Sequence, residues 1–154
     1  MHPRLIITAI VLTLLPVLAS AMDFDFPTTT RYADALRQAQ SEKKAVLVAF
    51  LSSSCSHCQA MKKNVFAKEA FIAFAKANLV VVAFDYATID DMTSDERAVL
   101  SKLEDKFQVE GFPTVILLTP NEQVLLQSSG YAGSSAEDVV TLFKDKLRSA
   151  PKKM

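Results

Sequence analysis

The sequence predicts an α/β domain in which a mixed β-sheet is covered by helices on both sides. Residues 45–51 and 79–84 are continuous apolar runs, which are typical of strands buried on both faces. Residues 114–118 and 124–126 flank the turn sequence Pro-Asn-Glu and predict an antiparallel hairpin. With helical segments added, the order is α-β-α-β-α-β-β-α, which we interpret as two parallel crossovers followed by the hairpin.

The spacing of apolar residues predicts where the first helices lie. Residues 30–43 carry apolar side chains at helical spacing before the first long strand. A second helix begins at Cys55, bends at residues 64–67 and continues over residues 69–78. Helices therefore precede and follow the strand at 45–51.

Capping residues predict the starts of the remaining helices. Thr93-Ser-Asp-Glu96 is a capping box, and apolar residues recur at helical spacing after it. Ser134 or Ser135 caps a final helix whose apolar residues share one face.

The N-terminal segment has the pattern of a secretory signal peptide. Arg4 precedes an apolar stretch from Leu5 to Leu18, and Ala19-Ser20-Ala21 is a small-x-small cleavage site. The stretch is shorter than the ~20 apolar residues that a membrane-spanning helix needs, although an uncleaved anchor remains an alternative.

Cleavage after Ala21 defines the predicted domain organisation. Residues 1–21 form the signal peptide, residues 22–149 form one domain, and residues 150–154 form a disordered tail. The mature chain is then expected to be periplasmic or secreted, where disulfide chemistry is common, with no stable membrane insertion.

The charge balance gives no indication of a nucleic-acid partner. Seventeen Lys and Arg residues stand against seventeen Asp and Glu residues, so the formal net charge is zero. Half of the residues are hydrophobic, which is enough for a substantial core. We expect a monomer without a cofactor.

The two cysteines of the chain are spaced as Cys55-Ser-His-Cys58, directly after a predicted strand and at the start of a predicted helix. Unpaired backbone N–H groups at a helix N-terminus lower the pKa of a thiol placed there. A second thiol one turn away can resolve the mixed disulfide that the first one forms. The motif therefore predicts a dithiol/disulfide redox site.

Other interpretations of the pair are less well supported. Zinc usually takes four ligands, and His2 and His57 are the only histidines of the chain, so no metal site is predicted. Haem attachment requires a histidine where Gln59 stands. A structural disulfide closing so short a loop would constrain the unfolded chain little.

Three motifs together resemble the thioredoxin-fold thiol–disulfide oxidoreductases. They are Cys55-Ser-His-Cys58 between strand and helix, Gly111-Phe-Pro-Thr114 before a strand, and Gly130-Tyr131 before the last helix. The resemblance covers nearly the whole mature chain and implies a thioredoxin-like three-layer fold. Within the family, the chain is most similar to secreted bacterial thioredoxin-like proteins such as the C-terminal domain of DsbD.

The resemblance implies roles for five residues. Cys55 is the exposed nucleophile and Cys58 the buried resolving cysteine, while His57 tunes the pair. Phe112 and Pro113 are implied to bind substrate, with a cis bond between them that presents the Phe112 backbone beside the sulfurs.

The chain also departs from the thioredoxin pattern. Ser54 replaces the usual Trp before the first cysteine, and Gln59 replaces the common Lys after the second. The buried Asp that helps to deprotonate the second cysteine is Ala49 here, and its Lys partner corresponds to Ala83. Recognition by an ordinary thioredoxin reductase is therefore not expected.

These observations predict an oxidoreductase that exchanges disulfides with protein substrates, together with a membrane or soluble redox partner. Two alternatives stay open at this point. One is a client-specific reductant in haem or metal-centre assembly, and the other is a non-catalytic module that uses the fold for peptide binding. The sequence leaves the direction of electron flow open.

Overall fold

A computed structural model of the chain describes residues 22–151 as a five-stranded mixed sheet with helices on both faces. The strands are β1 (Thr28–Thr29), β2 (Ala45–Leu51), β3 (Leu79–Asp85), β4 (Thr114–Leu118) and β5 (Val124–Ser129). The helices are α1 (Tyr32–Glu42), α2 (Ser56–Met61), α3 (Glu69–Asn78), α4 (Ser94–Phe107) and α5 (Ala136–Ser149). The predicted signal peptide, residues 1–21, and residues 152–154 of the predicted tail lie outside the described residues.

The strand order is β1-β3-β2-β4-β5, with the longest strands at the centre. β2 and β3 run parallel, because α2 and α3 carry the chain back across the sheet between them. β4 runs antiparallel to β2 and forms the predicted hairpin with β5.

The prediction of a second parallel crossover, from β3 through α4 to β4, is wrong. β4 lies beside β2 and runs antiparallel to it. Two adjacent parallel strands need a long connection such as a helix, but a helix can also join two strands that run in opposite directions. The second parallel crossover of the fold is instead β1-α1-β2, since β1 pairs parallel with β3.

Alternation along the central strands divides the core into two layers. Leu47, Ala49 and Leu51 of β2 face the layer that contains Cys58 and the aromatic side chains of α3 and α5. Val48 and Phe50 face the opposite layer, which α1 and α4 cover. The predicted mixed sheet flanked by helices is confirmed.

Most of the predicted element bounds agree with the structure. β2, α3 and β4 occupy the predicted residues, and the predicted bend is a π-helical turn at Lys62–Phe66. Both residues of the Thr93–Glu96 capping box make their reciprocal hydrogen bonds. Of the two candidate caps for α5, Ser135 is the one that accepts the Asp138 N–H.

Two short elements were not predicted. β1 is a two-residue strand that exists through its pairing with β3, and residues 28–29 carry no apolar alternation of their own. The segment Tyr86–Asp91 forms 3₁₀-helical turns directly after β3, where no element was predicted. This second segment places Tyr86 against Phe112, directly after Asp85 at the end of β3.

Candidate active site

The two cysteines occupy different environments at the start of α2. Cys55 is the residue immediately before the helix, has extended backbone angles and is partly exposed. Cys58 lies one turn into the helix with 0% of its surface exposed. Both are free thiols in this structure. The predicted placement of the motif, between a buried strand and a helix start, is confirmed.

Backbone donors at the helix start stabilise the thiolate of Cys55. The N–H of Cys58 is the largest cause and, with a smaller contribution from the His57 N–H, holds the pKa of Cys55 below its ordinary value. Partial burial opposes this effect, and a hydrogen bond from the Cys58 thiol adds to it. The sequence predicted this direction from the helix N-terminus.

Cys58 has the opposite character. Burial is the largest cause that raises the pKa of Cys58, to about 11, although the Ser52 N–H lies 3.4 Å from its sulfur and opposes the rise. The neighbouring Cys55 and Asp85 add to the rise. At neutral pH the pair therefore consists of one reactive sulfur and one protonated sulfur behind it.

The proline loop lies against the reactive sulfur. The Phe112–Pro113 peptide bond is cis, as the resemblance implied. The Cys55 thiol donates a long hydrogen bond, at 3.8 Å, to the Phe112 carbonyl oxygen. The loop is tied to the residue that follows β5, because the Gly130 N–H donates to the Pro113 carbonyl at 2.7 Å. Phe112 and Pro113 are thus brought beside Cys55.

The predicted tuning residue His57 is exposed. Its backbone N–H acts on Cys55, whereas the tuning effect of its imidazole stays a prediction. Gln59, in the position of the common Lys, donates from its side chain to the Ser53 carbonyl at 2.7 Å and so braces the loop before the motif.

The two alanines that replace the thioredoxin Asp and Lys are cross-strand partners. Ala49 of β2 pairs with Ala83 of β3 in the layer that contains Cys58. These positions therefore supply no ionisable group to Cys58.

A carboxylate that the sequence reasoning missed lies close by, at the end of β3. Asp85 is only 7% exposed, and its carboxylate accepts the backbone N–H groups of Ser53 at 2.8 Å and Ala87 at 3.0 Å. The charge of Asp85 is among the causes that raise the pKa of Cys58. The sequence contained one signal for this residue. Asp85 directly follows a continuous apolar run, and the cysteine motif likewise follows the neighbouring apolar run.

A surface pocket of about 440 Å³ adjoins the proline loop. Its walls include His57, Met61, Phe112, Tyr131 and Leu142, so that they are largely apolar. The proline loop and the helix that carries Cys58 therefore border a largely apolar pocket.

Among residues 22–151, no helix is both long and apolar enough to cross a membrane. The same residues contain no group of three or more His, Cys, Asp or Glu side chains placed to hold a metal ion.

Comparisons with known proteins show the family to which the chain belongs. The sequence profile of a family described as thioredoxin-like matches residues 28–120. The disulfide bond reductase DsbH of Chlamydia pneumoniae is 25% identical over 122 residues, which cover 79% of this chain and 70% of DsbH.

Solved structures give the same result for the fold. A DsbH oxidoreductase matches with a TM-score of 0.72 at 20% identity, over 93% of this chain and 96% of the other. The oxidised C-terminal domain of Neisseria meningitidis DsbD matches with a TM-score of 0.53 at 14% identity, over 75% and 91% of the two chains. The profile match covers more than half of the chain, and this chain therefore belongs to the thioredoxin-like family.

Proposed function

We propose that this chain is a thiol–disulfide oxidoreductase that exchanges the Cys55–Cys58 dithiol/disulfide with protein substrates. The observation that carries the proposal is the asymmetry of the two sulfurs. Cys55 is partly exposed with a lowered pKa, whereas Cys58 is fully buried with a raised one. Disulfide exchange requires an accessible thiolate that attacks the client and a second thiol, shielded from solvent, that resolves the mixed disulfide.

In the reductive direction the exchange takes two steps. The Cys55 thiolate attacks one sulfur of a client disulfide, a mixed disulfide forms, and the other client sulfur leaves as a thiolate. Cys58 then loses its proton and attacks the Cys55 sulfur, which expels the second client thiolate. Two electrons pass to the client, and the protein is left with a Cys55–Cys58 disulfide that a redox partner must reduce.

The reductive direction is our proposal for the protein in its cell, supported by the similarity to a disulfide bond reductase. A potential measured against glutathione tests it. We expect a reduction potential more negative than that of protein disulfide isomerase, about −180 mV. A potential less negative than this value would contradict the reductive direction.

Clients are proposed to bind across the proline loop. The Phe112 carbonyl lies 3.8 Å from the Cys55 sulfur, so the backbone of an extended client segment can lie beside both. The adjoining pocket of about 440 Å³, with Met61 and Tyr131 in its walls, offers room for an apolar client side chain near its cysteine.

The proposed location is the periplasm or the exterior of the cell, with residues 1–21 removed during export. This location supplies the oxidised protein substrates that such an enzyme acts on. A membrane or soluble redox partner is then needed to return Cys55 and Cys58 to the dithiol form.

Insulin reduction coupled to dithiothreitol tests the function. The wild-type domain is expected to accelerate precipitation of the insulin B chain, and Cys55→Ser is expected to abolish the acceleration. Cys58→Ser is the matched control, because it makes the same atomic change but leaves the first attack intact, so it is expected to form a mixed disulfide with insulin that Cys55→Ser does not form. Full activity of Cys55→Ser would contradict the mechanism, and an inactive wild type would favour a binding module.

A further inference from the structure

The carboxylate of Asp85 is buried beside the resolving cysteine and receives three backbone N–H groups. Ser53 and Ala87 donate to one oxygen, and the backbone nitrogen of Met22 donates to the other at 3.1 Å. Donors on both oxygens match an ionised carboxylate, which accepts hydrogen bonds and donates none.

No side-chain cation neutralises this carboxylate among residues 22–151. The ion pairs that these residues form all lie elsewhere, mainly on exposed helix surfaces. A buried charge without an opposite charge is costly, even when hydrogen bonds solvate it. Within the described part of the chain, Asp85 therefore lacks a side-chain counter-charge.

The third donor lies at the predicted cleavage site. Met22 is the residue that directly follows the Ala19-Ser20-Ala21 sequence. Hydrolysis of the Ala21–Met22 bond converts the Met22 nitrogen from a neutral amide into an α-amino group, which is protonated at neutral pH. The atom that already contacts Asp85 thereby becomes a cation.

Apolar packing holds the Met22 nitrogen in this position. The Met22 side chain is 9% exposed and belongs to the core cluster that also contains Cys58. Phe26, four residues on, is 5% exposed, and its ring centroid lies 5.7 Å from that of Phe71. Apolar contacts therefore hold the segment from Met22 to Phe26 in place whether or not the Met22 nitrogen is charged.

Two consecutive amides link this carboxylate to the resolving cysteine. The Ser52 N–H lies 3.4 Å from the Cys58 sulfur, and the Ser53 N–H donates to Asp85. The same turn therefore contacts both groups. A negative charge on Asp85 opposes the formation of a thiolate at Cys58, in agreement with its place among the causes that raise the pKa of Cys58 after burial.

We propose that removal of residues 1–21 creates an α-ammonium group at Met22 that pairs with Asp85 and thereby accelerates the resolving step carried out by Cys58. This inference rests on the proposed function and on cleavage between Ala21 and Met22. Signal-peptide removal would then change the reactivity of Cys58 in addition to releasing the protein. Asp85 would act through Cys58 and would not itself touch the client.

The electrostatic balance near this pair includes two further charged side chains. Arg31 and Glu96 line the pocket of about 380 Å³ that Met22 and Asp85 share. Arg31 pairs with Asp34 at 2.7 Å, and Glu96 accepts hydrogen bonds from Thr93. Both therefore have partners of their own, and the charge of Asp85 acts on the Cys58 thiol.

The test compares the protein that begins at Met22 with one that begins at Ala21, each verified by intact mass. The second protein keeps every side chain of the domain, but its Met22 nitrogen is an amide. The reduced proteins are mixed with Ellman's reagent. Cys55 attacks the reagent in a first phase, and in a second phase Cys58 attacks the Cys55 sulfur and expels another nitrothiobenzoate thiolate.

We expect the second phase at neutral pH to be about three- to tenfold slower in the protein that begins at Ala21, since one pKa unit changes the thiolate fraction about tenfold. Its pH profile is expected to move to higher pH. In Asp85→Asn the difference between the two N-termini is expected to fall below about twofold, because the amino group has lost the partner that holds it. Asp25→Asn, which removes an exposed acid near the N-terminus, is the control and should retain the full difference.

Equal second-phase rates for the two N-termini would overturn the proposal, even if Asp85→Asn fails to fold. An undiminished difference in Asp85→Asn would overturn it as well. So would an exported protein whose mass shows a first residue other than Met22. Normal insulin reduction alongside any of these results would leave the proposed function intact, so the two failures are distinguishable.

Discussion

The ring of Tyr86 packs against the ring of Phe112, with their centroids 4.2 Å apart and the planes tilted by 40°. Tyr86 begins the 3₁₀-helical segment after β3, and its hydroxyl donates to the carboxylate of Glu104 on α4. Burial and this hydrogen bond raise the pKa of Tyr86, so the hydroxyl remains a donor at neutral pH. The contact connects α4 to the loop whose carbonyl faces Cys55.

Removal of the Tyr86 ring is expected to impair client turnover. An aromatic pair of this kind contributes about 0.5–1.5 kcal/mol beyond its buried area, so Tyr86→Ala should lower kcat/KM for insulin about two- to tenfold. Tyr86→Phe keeps the ring and loses only the hydrogen bond, and it should retain most of the activity. An unchanged kcat/KM in Tyr86→Ala would show that the ring does not position Phe112.

Replacement of the resolving cysteine is expected to trap clients. In Cys58→Ser the mixed disulfide at Cys55 cannot be resolved, because the attacking thiol is absent. Non-reducing gels followed by mass spectrometry should then recover client proteins linked to Cys55. The double variant Cys55→Ser/Cys58→Ser should recover none, and adducts that persist in it would contradict the assignment of Cys55 as the nucleophile.

The pH dependence of alkylation should separate the two thiols. The lowered pKa of Cys55 predicts that iodoacetamide modifies it at a pH below the range of an ordinary cysteine, about 8.5. The raised pKa of Cys58, about 11, predicts that the second thiol stays unmodified near neutrality. Peptide mapping after a brief pulse measures both. Equal labelling of the two residues at neutral pH would contradict the proposed asymmetry.

The contribution of the His57 imidazole can be measured separately from that of its backbone. His57→Ala keeps the N–H that acts on Cys55 but removes the ring. The sequence predicts that this change raises the pKa of Cys55 and makes the couple more reducing, since an imidazole near the first sulfur favours the thiolate. Alkylation profiles and the potential against glutathione test the prediction. Profiles that coincide with the wild type would assign the whole effect to backbone donors.

The start of α5 offers a test of stability at adjacent serines. Ser135 accepts the Asp138 N–H at 3.1 Å, and Asp138 in turn accepts from the Ser135 backbone. Ser135→Ala should lower the free energy of unfolding by about 1 kcal/mol, a typical value for loss of an N-cap. Ser134→Ala is the matched control, because the Ser134 group in contact with Tyr131 is its backbone carbonyl. Urea denaturation should show little change for this control.

Local sequence patterns were sufficient for the elements whose burial, helical spacing or capping is visible within one segment. The run at Ala45–Leu51, the helix at Glu69–Asn78 and the capping box at Thr93 were each predicted from adjacent residues and lie where predicted. Burial on both faces produces a continuous apolar run, and helical packing produces a characteristic spacing. The cysteine motif was predictable for the same reason, because its reactivity arises from the helix start that contains it.

Direction and pairing across the sheet were decided by the tertiary structure. The sequence predicted β4 as a strand but not that it would run antiparallel to β2, because apolar alternation is the same in both directions. The two residues of β1 carry no pattern, and they form a strand because β3 supplies the hydrogen-bonding partners. Strand register is a long-range property that adjacent residues do not encode.

The sequence by itself determined the place of the cysteine pair at a helix start and the proline loop beside it. Only the tertiary structure decided what surrounds the resolving sulfur, since Asp85 and Met22 lie 63 residues apart in the chain and meet at one hydrogen bond. The pKa of a buried thiol depends on nearby charges and on exclusion of water. Both depend on which distant segments pack together, and the folded chain brings these segments to Cys58.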